Sequence, residues 1–121
     1  AGRIVMRRDD DVIKFARGGK GRHSDGKQQN EAEVLIGTRN INSPYLAEPL
    51  DWDDKYLWVK YPYITKVEEH PEFDNHAAVR VSAQIKDKVA HIDGLNTIDI
   101  RRGNVGVRNG QAKIIDYGSV K

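Results

Sequence analysis

Three side chains late in the sequence stand out by type and spacing. They are Asp99, Asn104 and Asp116, within the stretch DIRRGNVGVRNGQAKIIDYG that spans 99–118. Two carboxylates and an amide gathered in a small volume can accept a proton or hold a hard cation through oxygen. What would gather them is a hairpin. Val105-Gly106-Val107 and Lys113-Ile114-Ile115 are short β-type runs, and Asn109-Gly110 between them is a strong type I′ turn signal. Each residue alone has an ordinary reading, because Asp and Asn flank turns in most proteins. Only the joint pattern separates a site from turn chemistry.

The preceding residues supply the elements that would position such a site. Ile4-Val5-Met6 and Val12-Ile13-Lys14-Phe15 are strand-like runs around a turn at Asp9, Asp10 and Asp11, which reads as a tight hairpin. Residues 17–25 are Gly-rich and basic and read as a loop. Gln28 to Ile36 has no Gly or Pro and places Ala32, Leu35 and Ile36 on one side, which predicts a helix capped by Ser24 or Asp25. Tyr45-Leu46-Ala47 and Tyr56-Leu57-Trp58-Val59 read as strands about an acidic turn at Asp51, Asp53 and Asp54, and Pro62 opens a connector. Between Glu72 and Ile92, Phe73, Ala77, Val81, Ile85, Val89 and Ile92 recur at spacings of three and four. That predicts an amphipathic helix ended by Gly94. The order is α+β, with antiparallel strands first and the long helix after them.

Composition bounds the function classes. With 121 residues there is room for one domain with one modest core. A net charge of +2 gives no field that would draw nucleic acid or an anionic membrane. No apolar run reaches the length of a spanning helix, and no secretory pattern opens the sequence, so a cytoplasmic location is expected. The absence of cysteine excludes disulfides and thiolate metal sites. His23, His70, His76 and His91 lack metal-ligand spacing and read as surface or packing residues. Gly18, Gly19 and Gly21 with Lys20 and Arg22 lack the Walker pattern and read as a basic loop. Trp52 and Trp58 read as core or strand-face residues, and no specific nucleic-acid module is expected.

The segment 90–119, AHIDGLNTIDIRRGNVGVRNGQAKIIDYGS, resembles the catalytic-loop and metal-loop region of the protein kinase-like fold. Asp99 and Asn104 have the family's Asp-to-Asn spacing, Asp116-Tyr117-Gly118 stands where Asp-Phe-Gly would, and His91 and Gly94 fall where a His and a Gly often precede the loop. Upstream, Val12-Ile13-Lys14 is similar to the Val-Ala-Ile-Lys strand. Glu33, nineteen residues on, stands where the family's ion-pair Glu belongs, with Glu31 as the alternative. The resemblance is ordered along the whole chain and dense only at its end. It divides the chain into an N-lobe-like part, 1–61, and a reduced C-lobe, 62–121.

The resemblance implies ATP and Mg²⁺ as cofactors. Lys14 would hold the α- and β-phosphates, oriented by Glu33. Gly2 would close the remnant of a Gly-rich loop. Lys60 to Tyr63, with Tyr61 and Tyr63 as binding residues, would be the hinge whose backbone receives adenine. Asp116 would coordinate the metal and Asn104 a second ion. Asp99 would accept the proton of an acceptor hydroxyl, and Arg101 would contact the transferred phosphoryl group.

Departures shape the functional expectation. The Gly-rich loop is reduced to Gly2, Thr97-Ile98 replaces the usual His-Arg, and an activation segment and lower helical subdomain are not expected. The sequence thus reads as a truncated kinase-like fold, similar to short kinase-like proteins of tailed bacteriophages, acting in the host cytoplasm if phage-encoded. Two functions follow: a minimal phosphotransferase, or an inert pseudokinase that grips a protein partner. A flank of the long helix left uncovered would favour self-association or a partner.

Overall fold

The computed structural model describes residues 2–18, 25–97 and 100–118. The chain is α+β, with two helices and two small antiparallel sheets. The first sheet has strand order β1-β2-β4-β3, built from β1 (Arg3–Arg8), β2 (Asp11–Ala16), β3 (Asp51–Trp52) and β4 (Trp58–Pro62). The second is β5 (Thr65–Lys66), β6 (Val105–Arg108) and β7 (Gln111–Ile114) in that order. Helix α1 (Gly26–Arg39) packs on β2 and β4, and α2 (Asn75–Lys88) lies against the second sheet.

Local chemistry accounts for the turns. Asp9 at φ 35° closes the β1–β2 hairpin, a conformation Asp tolerates because its short side chain bonds nearby backbone. Asn109 at φ 52° and Gly110 at φ 77° give β6–β7 the two successive left-handed residues of a type I′ turn. Asp74 Oδ1 accepts from Ala77 N at 2.8 Å and caps α2. Among the described residues, no helix is long and apolar enough to cross a membrane.

Several expected boundaries move. The α2 helix is shorter than 72–92, and Gly94 (φ 81°) stands in a turn beyond it rather than at its end. Residues 45–47 form no strand; Leu46 makes a parallel bridge to Ile114, and Ala47 N donates to Ile114 O at 2.9 Å. Tyr56 is a left-handed turn residue at φ 60°, so β4 begins at Trp58 and runs on through Pro62. The expected acidic turn contributes the two residues of β3 at its start, while Asp53 Oδ2 accepts from Lys55 N and Leu57 N. Ser24, offered as a cap, lies outside the described residues; Asp25 is the N-cap but accepts from Gln29 Nε2 rather than from backbone.

Helix α1 differs most from expectation. Of the expected face, Ile36 is buried but Leu35 is exposed, and the helix also buries Asn30, Glu33, Val34 and Gly37. Those positions are spaced as i, i+3, i+4 and i+7, one face of a helix. The inward stripe is half polar because β2 and β1 present cations to it. By contrast α2 buries Ala78, Ser82 and Ile85 and exposes Val79. The main core joins the sheets through Val59, Val67, Val105 and Ile114, all fully buried. Three consecutive exposed apolar side chains, Ile4, Val5 and Met6, stand on β1.

Candidate functional site

The site starts from the pleat of β2. Alternation puts Val12 and Lys14 on one face of the strand, toward a cleft between the two sheets. Helix α1 crosses behind that face and brings Glu33 to Lys14: Nζ to Oε1 is 2.9 Å. Glu31 is exposed and takes no part. Lys14 Nζ also donates to Ile115 O at 2.6 Å, which ties the first sheet to the residue before Asp116. The cleft has a volume of about 300 Å³, and its lining includes Lys14, Tyr61, Tyr63, Asn104 and Asp116.

Glu33 is fully buried and fully bonded. Oε1 accepts from Lys14 and from the Tyr61 hydroxyl at 2.5 Å; Oε2 accepts from Arg3 at 2.8 Å and from Tyr117 N at 3.3 Å. Burial alone would push this carboxyl up, but the adjacent Lys14 and Arg3 cations reverse the effect and hold it well below the usual carboxylate range. Burial, reinforced by the Glu33 charge, pushes the Tyr61 phenol up, so it stays a donor. Asn30 completes the cluster: its Oδ1 accepts from Arg3 at 3.2 Å and its Nδ2 donates to Tyr56 O at 2.9 Å. The approach of Asp116-Tyr117-Gly118 to α1 demands glycine at 118, because a Cβ there would sit 2.8 Å from Gln29 O and 2.9 Å from Glu33 Oε2.

At the other end, the β6–β7 hairpin fixes Asn104 beside the Asp116 segment. Ile115 N donates to Asn104 O at 2.8 Å, one step beyond the ladder pair Val105–Ile114. Asp116 is half-exposed at the mouth of the cleft, and its Oδ1 accepts from Arg3 at 2.8 Å. The Arg3 guanidinium thus bridges Glu33 and Asp116 with its own side chain only 6% exposed.

The remaining expected residues fare differently. Asp99 lies outside the described residues. Arg101 is exposed and does not line the cleft. Gly2 is buried against the start of α1, where a Cβ would strike the Asp25 carboxylate; it does not line the cleft either, so the glycine serves packing. The backbone of the expected hinge is partly engaged in the sheet. Tyr61 lies inside β4 paired with Val12, Lys60 O accepts from Leu50 N, and Tyr63 N donates to Asp10 O, so these backbone groups belong to the sheet and its hairpin. Tyr61 contributes its hydroxyl instead, and Tyr63 its ring, on which the Arg7 guanidinium stacks 3.5 Å from the centroid. The histidine reading holds at His70, whose ring packs edge-on against Phe73 at 5.2 Å; His23, like residues 19–22 of the basic loop, lies outside the described residues.

The donor types at Asp116 and Asn104 suit a hard divalent cation. One oxygen of Asp116 holds the Arg3 cation, and among the described residues no group of three or more His, Asp or Glu side chains converges. The reading of the sequence missed Arg3, Asn30 and the Tyr61 hydroxyl. For Asn30 a signal existed, since it stands three residues before Glu33 on the same helix face. Arg3 had none, its partners lying 27, 30 and 113 residues away. No family model, curated protein or solved structure matches the chain.

Proposed function

We propose that this chain is a minimal kinase-like protein that binds ATP in the cleft between its two sheets. The observation that carries the reading is the buried Lys14–Glu33 pair, set on a cleft that Asn104 and Asp116 also line. An ammonium on a flexible stem is poorly oriented alone; Glu33 fixes it, so that it meets phosphate oxygens without a further ordering cost. Apolar Val12 and Ile64 give the same cleft a surface for a base.

If transfer occurs, an acceptor hydroxyl attacks the γ-phosphorus, the bond to the β-bridging oxygen breaks, and ADP leaves. The hydroxyl proton passes to Asp99. A second reading, an inert kinase-like protein that binds a partner, is favoured by Arg3 on Asp116, which takes up the carboxylate the transfer reaction would use.

A thermal-shift titration with ATP tests the reading. Nucleotide at about 100 times its dissociation constant adds about 2.7 kcal/mol of stability. A shift in wild type that is lost in Lys14→Met supports binding in this cleft. No shift with ATP, with or without Mg²⁺, refutes it. Labelled γ-phosphate transferred to any hydroxyl acceptor selects the enzyme over the inert form.

A further inference from the structure

We infer that Arg3 occupies the charge position of a metal at Asp116, so that ATP enters the cleft without needing Mg²⁺. The inference rests on the proposed nucleotide reading and adds to it how the site handles charge. A carboxylate at the mouth of a phosphate site repels the ligand unless a cation offsets it. Here that cation is built into the chain. Arg3 Nη2 lies 2.8 Å from Asp116 Oδ1 and 2.8 Å from Glu33 Oε2, and Nη1 lies 3.2 Å from Asn30 Oδ1.

Three features make this a fixed arrangement rather than a surface pair. The Arg3 side chain is 6% exposed, against 49% for Asp116, so the cation is held from the protein side and the carboxylate faces the cleft. Its planar fork reaches two carboxylates and an amide at once, from two nitrogens in a fixed geometry that a lysine lacks. The Arg3 backbone is paired with Ala16 at the start of β1, which sets where its side chain leaves the sheet toward Asp116 and Glu33. The other groups lining the cleft reinforce the balance: Arg7, Lys14 and Lys66 against Glu69 and Asp116, with Arg3 and Glu33 behind them. A triphosphate therefore meets net positive charge before any ion is added.

The test is ATP binding by calorimetry in excess EDTA and in excess MgCl₂, on wild type and on Arg3→Gln. Wild type is expected to bind with affinities within roughly threefold in the two buffers. Arg3→Gln is expected to weaken about tenfold in EDTA, the size of one lost charge-assisted contact, and to recover with Mg²⁺. Wild-type binding that requires Mg²⁺ overturns the inference and leaves the nucleotide reading standing; this arm needs no variant, so it decides even where Arg3→Gln does not fold. A folded Arg3→Gln that binds equally in both buffers overturns the role of Arg3. No binding by wild type in either buffer overturns both the inference and the reading beneath it.

Discussion

The two carboxylates that share Arg3 live in different surroundings. Glu33 is fully buried and accepts four hydrogen bonds, from Lys14, Tyr61, Arg3 and the Tyr117 amide. Asp116 has a side chain 49% exposed and lines the cleft, with the buried Arg3 guanidinium behind it. One arginine thus joins a desolvated anion to a wet one. A charge without water must be matched by the protein, and removing a partner leaves a cost that nothing nearby can relieve. A charge in contact with water is screened, and its pairing contributes little to the fold. The Glu33 end is therefore scaffold, and the Asp116 end is where a ligand can change the energetics.

The sharpest way to break this contrast is Glu33→Gln. The substitution preserves shape but leaves Lys14 and Arg3 buried together without their shared anion. The expected loss is about 3–5 kcal/mol, read from urea or thermal unfolding at neutral pH. A loss below about 1 kcal/mol would mean that water reaches the cluster and that the desolvation argument fails.

Acid titration sharpens the same point with a smaller effect. The Glu33 pKa lies below its ordinary 4.5, so the folded state binds the proton more weakly than the unfolded chain does. Its contribution is complete above about pH 4.5 and declines as pH falls below that value. Wild type should lose stability across that acid range more steeply than Glu33→Gln. Parallel acid limbs for the two proteins would show that Glu33 is not held ionised by Lys14 and Arg3.

How much of this was legible in the sequence depends on the range of the interaction. The Asn109-Gly110 turn was readable because its backbone requirement is local, and the central part of α2 because its apolar period repeats. The face of α1 was not, because periodicity counts apolar residues and the stripe at Asn30 and Glu33 is polar. It is stable inward only because Lys14 and Arg3 arrive from other elements. The neighbourhood of Lys14 and Glu33 came from a family resemblance, not from spacing as such. Arg3 lay beyond both routes: its 113-residue reach to Asp116 exists only once the sheet and the second hairpin are assembled. The strand reading of 45–47 failed for a related reason, since only Leu46 finds a ladder partner in the folded chain.

The smallest expected effect on stability is that of Asp116→Asn. The amide keeps an oxygen able to accept from Arg3, while Arg3 retains Glu33 and Asn30 as partners. What is lost is one charge attraction to a half-exposed group, worth at most about 1 kcal/mol. Unfolding in urea, run beside Glu33→Gln, measures the difference directly. If Asp116→Asn instead costs as much as Glu33→Gln, then the mouth of the cleft and the buried cluster form one cooperative unit. Arg3 would in that case be a structural tie between β1 and the Asp116 segment, and a ligand that displaced it would have to work against the fold itself. A small loss means that the Arg3–Asp116 contact sets the charge at the mouth of the cleft without holding the fold together.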